Sequence, residues 1–158
     1  MGPVKTLDGD LNVRGKKFVI VASKFNEYIT LRLLEACLKE LSRIGVARSH
    51  ITVAWVPGSF ELPVTALAFA KKKSVHAVIC LGCVIRGDTY HFELVADNAA
   101  RGIMEASLAT GKPVIFGVLT TDNLKQAKLR SEPKGDNKGR DAAQAAVAMV
   151  SLLSRSKK

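Results

Sequence analysis

The chain has 158 residues, of which 47% are hydrophobic and 24% charged, a composition typical of one soluble globular domain rather than of a disordered segment. Its net charge is +10, but the basic side chains are scattered apart from Lys71 to Lys73 and the tail Arg155, Lys157 and Lys158. No arginine-rich stripe with interleaved aromatic residues is present, and no apolar run approaches the ~20 residues that span a bilayer. We therefore predict neither a nucleic-acid nor a membrane partner; an anionic small substrate explains local positive charge equally well.

In chain order, residues 1–16 come first, and they lack the apolar core of an export signal. We predict a loose N-terminal arm on a cytoplasmic protein. Short continuous apolar runs then alternate with segments whose apolar residues recur at helical spacing. Strands are predicted over residues 17–23, 51–56, 76–85 and 113–121, and helices over 29–45, 61–73, 91–111, 123–131 and 137–156.

This alternation predicts right-handed crossovers and a parallel sheet covered by helices on both faces. The strands are apolar almost throughout, as a doubly covered sheet requires. Gly45 and Gly111 are placed to end two helices, and Pro63 fits the first turn of another. The predicted fold is one α/β domain over residues 1–158, a flavodoxin-like three-layer α/β/α sandwich around a four-stranded parallel sheet.

The three cysteines do not predict a disulfide framework or a metal site. Cys80 and Cys83 form a C-x-x-C pattern, but they lie within a predicted strand, where positions three apart point to opposite faces. Cys37 and Cys80 are expected to be small core residues. The sequence also contains no G-x-x-x-x-G-K-[ST], G-x-G-x-x-G or G-x-S-x-G pattern, so we predict no common nucleotide loop and no serine-hydrolase elbow.

Polar and aromatic residues follow the ends of the predicted strands, which is where open parallel sheets bind ligands. The richest stretch is "VIRGDTYH", residues 84–91. His91 is either a proton-transfer residue or a histidine that packs at a helix start. Asp88 and Thr89 suit an anion cradle at a helix start, although simple N-capping explains them better when they are taken alone. For Arg86 we favour a structural ion pair.

Other ends of the predicted sheet carry similar residues, each with a plain structural explanation. In "GSFE", residues 58–61, Ser59 and Phe60 would offer backbone donors and a stacking ring, or only form a turn. Phe25 and Phe116 would sandwich a planar heterocycle, or lie in the core. Arg130 and Lys138 flank a loop, where they would bind phosphate or remain solvated charges. Their coincidence at one edge of the sheet favours a functional site.

Six segments together resemble the lumazine synthase family, in the family's order and over nearly the whole chain. They are "FN" at 25–26, "GSFELP" at 58–63, "GCVIRGDTYHFE" at 82–93, "FGVLTT" at 116–121, "QAKLR" at 126–130 and "NKGRDAA" at 137–143. The resemblance implies the condensation of 5-amino-6-(D-ribitylamino)uracil with 3,4-dihydroxy-2-butanone 4-phosphate to 6,7-dimethyl-8-ribityllumazine in riboflavin biosynthesis. It implies no cofactor and no metal.

The resemblance also implies residue roles. His91 would transfer protons, and Asp88 and Thr89 would receive the phosphate at the helix start. Phe116 and Arg130 would come from a neighbouring subunit of a homopentamer or of a larger assembly of pentamers, with Arg130 binding the phosphate. The remaining implied contacts are stacking by Phe25, ring and ribityl contacts from Ser59, Phe60 and Glu61, backbone contacts from Cys83, Val84 and Ile85, and supporting roles for Asn26 and Lys138.

Two departures from the family pattern are minor: Ser59 stands where relatives often have alanine, and Tyr90 is bulkier than expected. Two other functions stay open from the residues alone. A flavodoxin-type flavin-binding module would use the same aromatics, although "SKFNEY" after the first strand lacks a phosphate-loop glycine. A phosphosugar aldolase would need a lysine of lowered pKa inside an apolar strand, and the sequence offers none.

Overall fold

A computed structural model of the protein describes residue 2 and residues 4–156. Lys157 and Lys158 of the basic tail, and two positions of the predicted arm, lie outside the described residues. The strands are β1 (Phe18–Ser23), β2 (Ile51–Val56), β3 (Ala77–Ile85) and β4 (Val114–Thr121). The helices are α1 (Glu27–Ile44), α2 (Leu62–Ala70), α3 (His91–Thr110), α4 (Leu124–Arg130) and α5 (Lys138–Ser156), with single 3-10 turns at Arg48–His50 and Ser59–Glu61.

The predicted three-layer α/β/α fold is confirmed. All strands are parallel, in the spatial order β2-β1-β3-β4. One face of the sheet packs against α1 and α5, and the other against α2 and α3. β1 lies inside the sheet and is buried along its whole length, in agreement with the apolar run of residues 18–22; its last residue, Ser23, is polar but also buried.

The helix ends follow the local sequence signals. Gly45 and Gly111 both adopt left-handed backbone conformations after α1 and α3, as predicted. α1 starts two residues before its predicted start because Asn26 takes a left-handed conformation (φ 58°), which asparagine tolerates better than most residues. Pro63 lies in the first turn of α2, where a missing N–H costs little.

The C-x-x-C residues separate as predicted. Cys80 belongs to the core on the α2–α3 face, and Cys83 to the core on the α1–α5 face. Burial raises the pKa of each thiol to about 12, so neither is an activated nucleophile. Both remain free thiols, as does the buried Cys37.

The segment before β1 has no regular secondary structure, but part of it is held against α5. Asp10 accepts a hydrogen bond from the Ser151 hydroxyl at 2.6 Å and pairs with Arg155. Val13 is buried in the core on the α1–α5 face. The described part of the arm is therefore not free throughout. Among the described residues, no helix is long and apolar enough to cross a membrane.

Candidate active site

A cavity of about 840 Å³ opens at the carboxyl edge of the sheet. Three elements build most of its wall: the loop and 3-10 turn after β2, the end of β3, and the first half of α3. Its lining includes nine of the predicted site residues: Phe25, Ser59, Phe60, Glu61, Cys83, Val84, Ile85, Thr89 and His91. The carboxyl-edge rule thus located the cavity correctly.

β3 forms this cavity because it is longer than its neighbour β1. The two strands pair up to Ala22 and Leu81, and β1 ends at Ser23, whereas β3 continues to Ile85. On its other side, β3 stays paired with β4 to the end. The last residues of β3 therefore present one backbone edge to the cavity instead of to a strand. This geometry suits hydrogen bonding to the edge of a planar heterocycle.

Asn26 closes part of that exposed edge. Its side-chain nitrogen donates to the Cys83 carbonyl oxygen at 2.9 Å. The loop after β1 also extends the pairing of β1 with β2, because the Phe25 N–H donates to the Pro57 carbonyl at 3.0 Å. Asn26 therefore joins the β1 loop to β3, and Phe25 is left 70% exposed at the mouth of the cavity.

The 3-10 turn at residues 59–61 packs closely against Gly82 of β3. A side chain at Gly82 would place its Cβ 2.7 Å from the Ser59 hydroxyl, so only glycine lets the turn approach β3 this closely. The Gly58 N–H donates to the Glu61 carboxylate at 2.9 Å, which closes the turn. Ser59 is buried beneath it, and Phe60 projects outward with 58% of its surface exposed. Phe25 and Phe60 are thus both available to a planar ligand.

His91 is the first residue of α3, a helix of 20 residues. Its backbone N–H donates to the Thr89 hydroxyl at 3.4 Å, a long contact consistent with weak capping. Thr89 and His91 both line the cavity, whereas Asp88 is exposed outside it. The cavity wall therefore meets the positive end of a long helix dipole at the point where the anion cradle was predicted.

Arg86 forms the structural ion pairs that we favoured. Its Nε donates to Asp122 at 3.1 Å, and its Nη1 pairs with Glu93. The guanidinium also lies 4.2 Å from the centre of the Phe92 ring. The hydrogen bond from Arg86 lowers the pKa of Glu93, so this carboxylate stays ionised near neutral pH.

Phe116, Lys138 and Arg130 lie away from the cavity. Phe116 is the third residue of β4, not a residue of its carboxyl end, and it lines a separate cavity of about 280 Å³ with Lys138. The Lys138 ammonium lies 2.9 Å from both Asp136 and Asp141, and these hydrogen bonds raise its pKa. Arg130 ends α4 and is exposed. Within one chain, the predicted sandwich of Phe25 and Phe116 does not form.

One wall of the main cavity was missed in the sequence. Leu94, Val95 and Asn98 line it together with His91, and Phe92 and Pro57 contribute as well. The signal was present: positions 91, 94, 95 and 98 have the i, i+3, i+4, i+7 spacing of one helix face. That face lines the cavity, and its Val95 also packs against the core on the α2–α3 face; helical periodicity alone does not separate these two roles.

The cavity combines a mainly apolar wall with one imidazole and backbone groups. None of its lining residues is a lysine or an arginine. Within the described residues, no group of three or more histidine, cysteine or acidic side chains is placed to hold a metal ion. The arrangement can stack an aromatic ring, bind its polar edge and transfer a proton.

Comparison with known proteins agrees with this geometry. The sequence model of the family described as 6,7-dimethyl-8-ribityllumazine synthase matches residues 15–154. A curated 6,7-dimethyl-8-ribityllumazine synthase from Protochlamydia amoebophila (strain UWE25) is 48% identical over 149 residues, which cover 94% of this chain and 87% of the relative. The chain therefore belongs to the 6,7-dimethyl-8-ribityllumazine synthase family, whose members are transferases.

Proposed function

We propose that the protein condenses 5-amino-6-(D-ribitylamino)uracil with 3,4-dihydroxy-2-butanone 4-phosphate to 6,7-dimethyl-8-ribityllumazine, in riboflavin biosynthesis. The observation that carries the proposal is one cavity in which separate motif segments of the family meet: residues 58–61 and 83–85, Thr89 and His91, with Phe25. We also propose the cytoplasm as its compartment, since three unpaired cysteines fit a reducing environment.

In this proposal the chain's own cavity holds the pyrimidine. Phe25 stacks on the ring, and the exposed backbone edge of residues 83–85 binds its polar side. Ser59, Phe60 and Glu61 contact the ring and the ribityl chain; one Glu61 oxygen already accepts from Gly58, and the other remains for a ribityl hydroxyl. His91 stands at the helix start, next to where Asp88 and Thr89 receive the phosphate.

The phosphate requires a cation that this cavity does not contain. No lysine or arginine lines it, and the nearby Arg86 is held between Glu93 and Asp122. Removing a phosphate from water without a charged partner is costly. We therefore assign the missing cation to Arg130 of a neighbouring copy, and Phe116 of that copy covers the ring. Lys138 has a supporting role, because Asp136 and Asp141 already pair with it. This places the site between subunits of a homopentamer, or of an assembly of pentamers.

The reaction needs no activated nucleophile from the protein, since the uracil substrate carries the attacking amine. That amine adds to the ketone and water leaves to form an imine. Loss of a proton from C3 and of phosphate from C4 then leaves an enol, which tautomerises to a new carbonyl at C3. The ribitylamino nitrogen condenses with this new carbonyl and closes the ring with loss of water. His91 is placed to carry protons between these steps. Orientation of two reactants lowers the barrier by roughly 7–11 kcal/mol. One acid–base group accelerates the reaction by ~10²–10⁴-fold, which corresponds to a smaller lowering of about 3–5 kcal/mol.

The direct test mixes the purified protein with both substrates and follows lumazine fluorescence, while light scattering gives the mass of the assembly. Product formation by a protein several times the mass of one chain is expected. Tight flavin binding without turnover would replace the proposal by a flavin-binding module. Borohydride trapping of a keto-phosphate on the protein would instead indicate an aldolase.

A further inference from the structure

Arg86 connects three parts of the structure around the proposed site. Its backbone N–H donates to the Thr121 carbonyl at 2.8 Å, which extends the β3–β4 ladder by one residue. Its side chain pairs with Glu93 in the first turn of α3 and with Asp122 directly after β4. Its guanidinium also stacks on Phe92. One side chain therefore ties the end of β3 to the starts of two different segments.

The first connection leads to His91. Phe92 and Glu93 are the two residues after His91, and both contact Arg86. Residues 86–91 are all exposed, so burial of apolar side chains does not hold this stretch in place. A planar guanidinium that both stacks and forms an ion pair restricts its partners in direction as well as in distance. Phe92 also packs against the core on the α2–α3 face, and Arg86 adds to this packing a directional contact with the first turn of α3, which carries the His91 imidazole.

The second connection leads to α4. The Asp122 N–H donates to the Gln126 side-chain oxygen at 3.0 Å, and the Gln126 N–H donates to the Asn123 side chain at 2.9 Å, which caps α4. At the other end of this helix, Arg130 contacts the Gln126 carbonyl at 3.4 Å. The Arg86–Asp122 pair is therefore linked to the start of the short helix that carries Arg130.

We propose that Arg86 is a positioning residue with two separable effects: through Glu93 it places His91, and through Asp122 it orients the α4 helix that carries Arg130. The inference rests on the proposed function, in which His91 acts in its own chain's cavity and Arg130 in a neighbour's. Arg86 itself does not touch substrate. Each chain then uses one guanidinium to arrange groups that belong to two adjacent sites.

The test separates the two connections with isosteric changes. Glu93→Gln weakens only the contact to α3, and Asp122→Asn only the contact to α4. Asp122 is exposed and Glu93 is partly buried, and each amide has the shape of the acid it replaces, so both variants are expected to fold. Steady-state kinetics should show kcat lowered about tenfold in Glu93→Gln with an unchanged KM for the butanone phosphate. Asp122→Asn should raise that KM several-fold with little change in kcat.

Arg86→Lys keeps the charge but loses the planar fork, so both effects should appear together. Arg101→Lys is the matched control, an exposed arginine further along α3, and it should match the wild type. The inference would be overturned if both acid variants showed the same fall in kcat and the same rise in KM. It would also be overturned if the kinetic changes followed a fall in melting temperature or in assembly mass. Failure of the proposed function is distinct, because the wild type would then form no lumazine.

Discussion

The cavity at the carboxyl edge of the sheet and the cavity beside β4 are built from similar side chains but differ in what they lack. The cavity of about 840 Å³ offers exposed phenylalanines, a histidine and free backbone edges, yet no lysine or arginine lines it. The cavity of about 280 Å³ beside β4 has a phenylalanine and Lys138, but the lysine is already paired with two aspartates and no histidine lines it. Neither cavity has an unpaired lysine or arginine among its lining residues, whereas one substrate of the proposed reaction is a phosphate ester. The difference fits a site completed between chains.

The two regions also differ in how they are held. The larger cavity exists because β3 extends beyond the end of β1, which is a property of the sheet itself. The smaller one depends on how α5 crosses α1 and β4. There a Cβ on Gly139 would lie 2.0 Å from the Leu33 carbonyl oxygen, so only glycine permits the crossing. The buried Asn137 then fixes the start of α5 by donating to the Ser131 carbonyl at 2.8 Å and accepting from the Gly139 N–H at 2.9 Å.

The largest effect is expected at the reacting centre of the larger cavity. His91→Ala should lower kcat by ~10²–10⁴-fold with little change in either KM, because in the proposed reaction the imidazole transfers protons while other groups bind the substrates. Residual turnover above the uncatalysed rate should remain. His50→Ala, at the opposite edge of the sheet, is the control and should behave like the wild type. Complete loss of turnover in a folded, assembled His91→Ala protein would contradict the dominance of orientation.

A smaller effect is expected from the cation assigned to the neighbouring chain. Arg130→Ala should raise the KM for the butanone phosphate by about ten- to a hundredfold, because a charged hydrogen bond to phosphate is lost. The KM for the uracil substrate should change little. Lys128→Ala, an exposed residue of the same helix, controls for the general loss of positive charge. An unchanged KM in Arg130→Ala would reject its assignment to the phosphate.

These two regions were not equally predictable from the sequence. Apolar runs, the glycines at 45 and 111 and the carboxyl-edge rule were enough to predict the sheet and the main cavity, because each is a local signal or a property of parallel sheets. Phe116 was harder, since it lies in mid-strand and lines the smaller cavity, and its proposed contact with the substrate ring requires a second chain. The Arg86 contacts join residues far apart in sequence, so an ion pair was foreseeable but its partners were not.

Assemblies of two different variant chains test whether His91 and Arg130 of one site come from different chains. His91→Ala and Arg130→Ala chains are coexpressed with different tags. If each site takes its histidine from one chain and its arginine from the next chain in a ring, about a quarter of the sites in the mixed assemblies should contain both native residues. At low butanone phosphate the mixture should be several-fold more active than either parent. The parents mixed after assembly provide the control. Activity no higher than the average of the parents would place both residues in the same chain's site.

The smallest effect concerns the contacts that hold α5, and it appears in stability rather than in catalysis. Glu40 on α1 is buried, accepts from Arg43 at 2.9 and 2.7 Å, and accepts from Gln144 on α5 at 2.7 Å. The hydrogen bond from Arg43 lowers the pKa of Glu40 from 4.5 to about 2. A carboxyl whose pKa is lower in the folded state stabilises the fold fully above its unfolded pKa and loses that contribution as the pH falls toward the folded value.

Glu40→Gln should therefore melt roughly 2–4 °C below the wild type near neutral pH. The gap should narrow as the pH falls from about 5 toward about 3, where the native carboxylate begins to lose its advantage over a neutral amide. Turnover per folded site should be unchanged at neutral pH, because Glu40 lines neither cavity. A gap that stays constant with pH would mean that the Glu40 charge does not contribute. A loss of turnover without a loss of stability would show that the α1–α5 contact acts on the site itself.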